Sequence, residues 1–222
     1  IESGTRFFIG HSPESFRPMW DAYREAMERE LSHLRQEIPP SDLVIQWDIA
    51  AEVASIESND HDPMMGLPWD APGDPFERYV QALEDLSKYV PEDTLLGLHL
   101  CYGDLGHKHF KEPQDLGLVV RMANAAVSAV RRPIDFVHMP VPRNRNDNSY
   151  FTPLADLAIA DTKLFLGLVH HTDGTPGTLR RLQMARKHAS RFGIATECGF
   201  GRRPPETMPA LLRIHREVAL RL

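Results

Sequence analysis

Six short runs of apolar and β-branched residues punctuate the chain: Phe7 to Gly10, Leu43 to Ile49, Leu95 to Cys101, Ile134 to Met139, Leu164 to Val169 and Gly193 to Cys198. Runs of this length and makeup read as buried strands. Between them the apolar spacing changes to steps of three and four. Phe16, Trp20, Tyr23, Met27, Leu31 and Leu34 line one face of a long helix, and Phe76, Tyr79, Val80, Leu83 and Leu86 line a second. An alanine-rich helix is expected over Leu118 to Val130. Two more are marked by Leu179, Leu182, Ala185 and Ala189, and by Met208, Leu211, Leu212 and Val218.

Strand–helix alternation throughout predicts a parallel sheet joined by crossover helices. An open doubly wound sheet and a closed (β/α)8 TIM-type barrel both fit, but the G-x-G-x-x-G turn of the dinucleotide-binding fold is absent. Polar residues with useful chemistry follow nearly every strand: His11, Asp48, His99 with Cys101, His138, His170 with His171, and Glu197 with Cys198. A ring of this kind is what the C-terminal face of a barrel displays, so the α/β barrel is the expected fold class. Six strands are two short of eight. The expectation is a single barrel domain over residues 1–222, N-terminally incomplete, with the first one or two βα units lying before Ile1.

Composition narrows the partners. The 222 residues are 42% hydrophobic and 25% charged, as in ordinary globular chains. A net charge of −6 argues against a nucleic-acid-binding surface. No apolar stretch approaches the roughly 20 residues that a membrane-spanning helix needs. Two cysteines do not make a secreted disulfide framework, so reduced thiols and a cytoplasmic setting are expected.

Strand periodicity puts His99 and Cys101 on one face. With Cys198 they form a zinc-type donor set of imidazole and two soft thiolates; the alternative is that both cysteines are small core residues. Arg143 and Arg145, in the loop after the fourth run, suit bidentate binding of a substrate carboxylate or phosphate, or pairing with a nearby acid such as Asp147. The stretch from Glu57 to Pro75 is rich in Asp, Pro and Gly. It reads as an active-site lid or as a surface excursion, although Met64, Met65 and Trp69 are apolar for a fully solvated loop. His107 and His109 read as part of an exposed polar loop.

The segments His99-Leu100-Cys101-Tyr102-Gly103 and Glu197-Cys198-Gly199-Phe200-Gly201-Arg202 resemble the H-x-C-Y and D-C-G-x-x-x-R segments of the cobalamin-independent methionine synthase catalytic domain. Gln46-Trp47-Asp48 resembles that family's Q-x-D strand end, and the order of motifs matches from about residue 5 onward. The resemblance implies a zinc-dependent barrel that moves a methyl group onto a thiol such as homocysteine. It implies His99, Cys101 and Cys198 as zinc ligands, Asp48 as the binder of the substrate's amino group, with Glu52 as a weaker candidate, and His170 or His171 as the catalytic acid. The family's fourth ligand, a glutamate, is Pro140 here, and His138, two residues earlier on the same strand face, is the replacement candidate. Expected partners are a small thiol acceptor and a methyl donor, folate or another, with neither nucleic acid nor membrane and with room for a homo-oligomer. Two other readings keep the barrel: a metal-free decarboxylase of the uroporphyrinogen type using Arg143, Arg145 and Asp48, and a non-catalytic binding protein.

Overall fold

The computed structural model describes residues 13–57, 73–103, 108–201 and 203–222. The expected strand at Phe7 to Gly10, His11, most of the Glu57–Pro75 connection, His107 and Arg202 lie outside the described residues.

Five strands form one parallel sheet: β1 (Val44–Ile49), β2 (Leu95–Leu100), β3 (Phe136–Pro140), β4 (Lys163–Val169) and β5 (Gly193–Thr196). They are hydrogen-bonded in chain order, β1 to β5, without a reversal. Among the described residues seven α-helices accompany them: α1 (Pro13–Glu37), α2 (Ala51–Glu57), α3 (Pro75–Ser87), α4 (Gly117–Ala129), α5 (Asn148–Phe151), α6 (Gly174–Ala185) and α7 (Met208–Ala219). Among the described residues the sheet is not closed, with β1 and β5 at its edges. No described helix is long and apolar enough to cross a membrane.

The alternation along β1 shows how the faces divide. Ile45, Trp47 and Ile49 are buried, while Val44, Gln46 and Asp48 are exposed. The buried set joins Tyr79, Leu83 and Leu86 of α3, Met122 and Ala126 of α4, and Leu211 and Val218 of α7 in one core. Burying each large aliphatic or aromatic side chain of that core contributes about 1.5–3 kcal/mol. Strand register then aligns Asp48 with His99 and His99 with His138. Neighbours in register share a face, so these polar residues stand side by side on the face that carries Gln46.

Local chemistry sets the element ends. Asp74 caps α3 by accepting from the backbone N–H groups of Phe76 and Glu77, and Pro75 follows at the first helical position. β5 stops at Thr196, short of the expected Cys198, because the Thr196 hydroxyl donates to the Cys198 carbonyl at 2.6 Å and turns the chain. β3 begins two residues later than expected, and Asp135 exchanges bonds with the Leu96 backbone just before it. The helices α2 and α5 were not expected, since seven and four residues are too short to show a helical period.

Candidate metal centre

His99 occupies β2, and Cys101 follows the strand by one residue. Cys198 reaches the same place from the turn after β5. That turn depends on Gly167 of β4, where an added Cβ would lie 2.7 Å from the Cα of Glu197. Gly103 is the second backbone device. Its φ of +92° is a left-handed conformation that suits glycine, and its N–H donates to Cys101 Sγ at 3.3 Å.

The ligand atoms of His99, Cys101 and Cys198 all lie within 4.8 Å of one another. Both thiols are free, and their sulfur atoms are 3.9 Å apart. That separation is informative. Two thiolates on a tetrahedral zinc, each at about 2.3 Å, stand about 3.8 Å apart, whereas a disulfide needs about 2.05 Å. The donor set and its spacing therefore fit zinc. The Cys101 thiol donates to Cys198, and this shared bond lowers the Cys198 pKa and raises that of Cys101. Burial pushes Cys101 further up, while nearby His99 adds to the lowering at Cys198.

His138 pairs with His99 instead of standing among the three clustered ligands. The two rings are stacked with centroids 4.6 Å apart, and their Nδ1 atoms are 2.6 Å apart. Two nitrogens on one tetrahedral zinc would stand about 3.3 Å apart, so these two Nδ1 atoms do not fit a common ion at this spacing. As a neutral pair sharing one proton between the Nδ1 atoms, one ring must present a bare Nε2 lone pair. Among the described residues neither buried Nε2 makes a well-aligned hydrogen bond. Burial first, and then the adjacent His99, lower the His138 pKa to about 3, although the Thr196 carbonyl opposes this. Pro140, where a glutamate was expected, is buried, and its carbonyl accepts from the Tyr150 hydroxyl at 3.0 Å.

Two cavities meet at Cys198. One, of about 360 Å³, is lined by Gln46, Asp48, His99, His138 and Cys198 among others. Gln46 Nε2 donates to Asp48 Oδ1 at 2.8 Å, which orients the carboxylate. Glu52 is not in this lining: it is buried in α2, where its charge raises the pKa of Tyr79, itself driven up first by burial.

The second cavity, of about 440 Å³, includes Arg143, Arg145, His170, His171, Glu197 and Cys198. His170 is buried, with Nε2 2.8 Å from the Val141 carbonyl and Nδ1 3.7 Å from Glu197. His171 is half-buried on the wall. Arg145 does not face the cavity as a spare charge. Its guanidinium contacts Asp147 at 3.2 Å, donates to the Gln114 carbonyl at 2.6 Å and stacks over Tyr150. Arg143 is exposed and donates to Thr172 Oγ1 at 3.2 Å.

Three groups at this end escaped the sequence reading. His109 is not in an exposed loop: its side chain is 8% exposed, 3.0 Å from Glu197 and 3.3 Å from Glu112. Burial pushes its pKa down, but the Glu197 and Glu112 carboxylates outweigh burial and leave it raised. No local pattern marks this, because the carboxylate that holds His109 comes from the turn after β5, far along the chain. In the sequence Glu197 is only a strand-end polar residue, yet in the fold it stands between His109 and His170. Arg181 is fully buried and binds Asp173 through both terminal nitrogens, at 2.7 and 2.9 Å. That one was legible in principle, since Arg181 adjoins Leu182 on the buried stripe of α6.

Neither a protein-family model nor a curated protein matches the sequence. A likeness does emerge among solved structures. A protein from Listeria monocytogenes, provisionally named a vitamin-B12-independent methionine synthase, superposes with a TM-score of 0.54 at 16% identity. The match covers 90% of this chain and 53% of that one, so the chain spans about half the length of that structure. At this identity the likeness is one of fold: this chain has a distantly methionine-synthase-like α/β fold with a His–Cys–Cys cluster at its strand ends.

Proposed function

We propose that the chain is the catalytic part of a zinc-dependent (β/α)8 barrel that transfers a methyl or related alkyl group to a thiol. The observation that carries this reading is the 3.9 Å thiol pair with His99 in the same cluster, beside the cavity that Asp48 lines. A parallel sheet in chain order supports the barrel, because right-handed crossovers then place every helix on one face and leave the other to curl inward. The Listeria likeness supports it too.

His99, Cys101 and Cys198 would hold the metal, with His138 orienting His99 from behind. Three protein ligands leave a position for substrate, as in catalytic zinc sites generally. When bound there, zinc would lower the pKa of an acceptor thiol and favour its thiolate at neutral pH. Asp48, steadied by Gln46, takes the ammonium of an amino-acid-type acceptor in the first cavity. His171 supplies the proton to the departing group, since the His170 ring is held by the Val141 carbonyl. Glu52 has no part in this scheme. The partners are the acceptor thiol and a methyl donor, folate or another. Free thiols 3.9 Å apart suit a reducing, cytoplasmic compartment. The decarboxylase reading is weaker, since Asp147 neutralises one of its two arginines.

Metal analysis of purified protein tests the proposal. About one zinc per chain is expected, lost in Cys101→Ser and Cys198→Ser and kept in His138→Gln. A well-folded protein without zinc would sink the reading. Zinc retained without thiol alkylation by any donor would replace it with a binding role.

A further inference from the structure

The second cavity carries more positive charge than the metal chemistry uses. Its wall holds Lys108, Arg143, Arg145 and Arg203 against two carboxylates, Glu112 and Glu197. Both carboxylates are engaged by His109, and Arg145 is engaged by Asp147. That leaves Lys108, Arg143 and Arg203, and among the described residues no carboxylate pairs with any of them. Arg203 also buries its Nε without a hydrogen-bond partner. Cations gathered on one concave wall repel one another and focus their field into the space between them.

The surroundings reinforce this. Arg143 is steadied by Thr172, which lies two residues before the start of α6. Cys198 belongs to the lining of both cavities, so whatever fills the second one abuts the proposed metal site.

We propose that this cavity seats a dianionic phosphate or phosphonate group, with Arg143 as its main contact and Lys108 and Arg203 completing the charge. A single carboxylate would leave most of that charge unmatched, whereas a dianion offsets the greater part of it. The molecule bearing this group is the alkyl donor, which therefore differs in chemical class from the acceptor bound near Asp48. Naming it the donor rests on the transfer reading above; the anion seat rests on the cavity alone.

Calorimetric titration with inorganic phosphate, using acetate at equal ionic strength as the control, tests the seat. Phosphate is expected to bind saturably and acetate not to bind. Phosphate should also slow alkylation of Cys198 by iodoacetamide, followed by peptide mass spectrometry. Arg143→Gln should weaken phosphate binding about tenfold, the scale of one charge-assisted hydrogen bond. Arg145→Gln should change it less than twofold. The Arg143 guanidinium is exposed, so the variant should melt like the parent, and Lys108→Gln, several-fold weaker, serves as a second variant. Absence of saturable binding, equal binding of acetate, or an unchanged Arg143→Gln would overturn the inference. Zinc content of the same samples keeps the two ideas apart. Zinc without phosphate binding defeats this inference alone, and phosphate binding without zinc defeats the metal reading alone.

Discussion

Two buried polar clusters lie near the C-terminal ends of the strands, and they are finished to different degrees. Arg181 donates to the carbonyls of Leu168 and Arg143 and to both oxygens of Asp173. Burial pushes the Asp173 carboxyl up, and the Arg181 guanidinium more than reverses this, holding it below the usual carboxylate range. Around His99 the picture is the opposite. Among the described residues neither buried Nε2 makes a well-aligned hydrogen bond, and two thiols face each other without bonding covalently. A buried polar group left unsatisfied costs about 1–3 kcal/mol. A cluster completed by protein atoms alone is a brace for the loops. On the proposed reading, one that remains incomplete is built around a metal that the polypeptide does not supply.

The largest effect should come from breaking the finished cluster. Arg181→Met strands the Asp173 carboxylate and two carbonyls, and urea unfolding should show a loss of about 3–5 kcal/mol. Adding Asp173→Asn should recover part of it. If Arg181→Met cost less than about 1 kcal/mol, the contrast between the clusters would collapse.

The unfinished cluster should announce itself through pH. The folded His138 refuses a proton down to about 3, whereas an unfolded histidine takes one near the ordinary 6.5. Between those values the unfolded state binds more protons, so stability falls as pH falls across that window. In zinc-free protein the loss should be on the order of 2–4 kcal/mol, read from denaturant midpoints at successive pH values. His138→Gln should flatten the curve, and an unchanged slope would place the titration elsewhere.

His109 offers the smallest and oppositely signed effect. Its pKa is raised in the fold by Glu197 and Glu112 against the pull of burial. The stabilisation is therefore full below pH 6.5 and is lost as pH rises through the higher folded value. His109→Gln should remove about 1 kcal/mol at pH 6 and nearly nothing at pH 9.

Much of the sheet could be read from the chain because strands and amphipathic helices write their burial into local periodicity. The runs at Leu95 and Leu164 fall within a residue of β2 and β4. The His99–Cys101 pair was legible for the same reason, since two residues along a strand return to one face. His109 was not legible: nothing near Gly106-His107-Lys108-His109 in sequence distinguishes a solvated histidine from one clamped by a carboxylate 88 positions away. The position of His138 was half legible. Its strand and face could be read, but whether it would join the ligands or pair with His99 depends on a 2.6 Å approach between strands.

By itself, then, the sequence determined a parallel α/β fold and pointed to His99, Cys101 and Cys198 as candidate donors, because residue type and strand period are local properties. Only the tertiary structure decided that sulfurs 97 residues apart stand 3.9 Å from each other. It also decided that Asp147 takes up Arg145 while Arg143 remains available. Those outcomes turn on register, on the turn after β5 and on which charges meet across loops, and none of these is encoded within one segment.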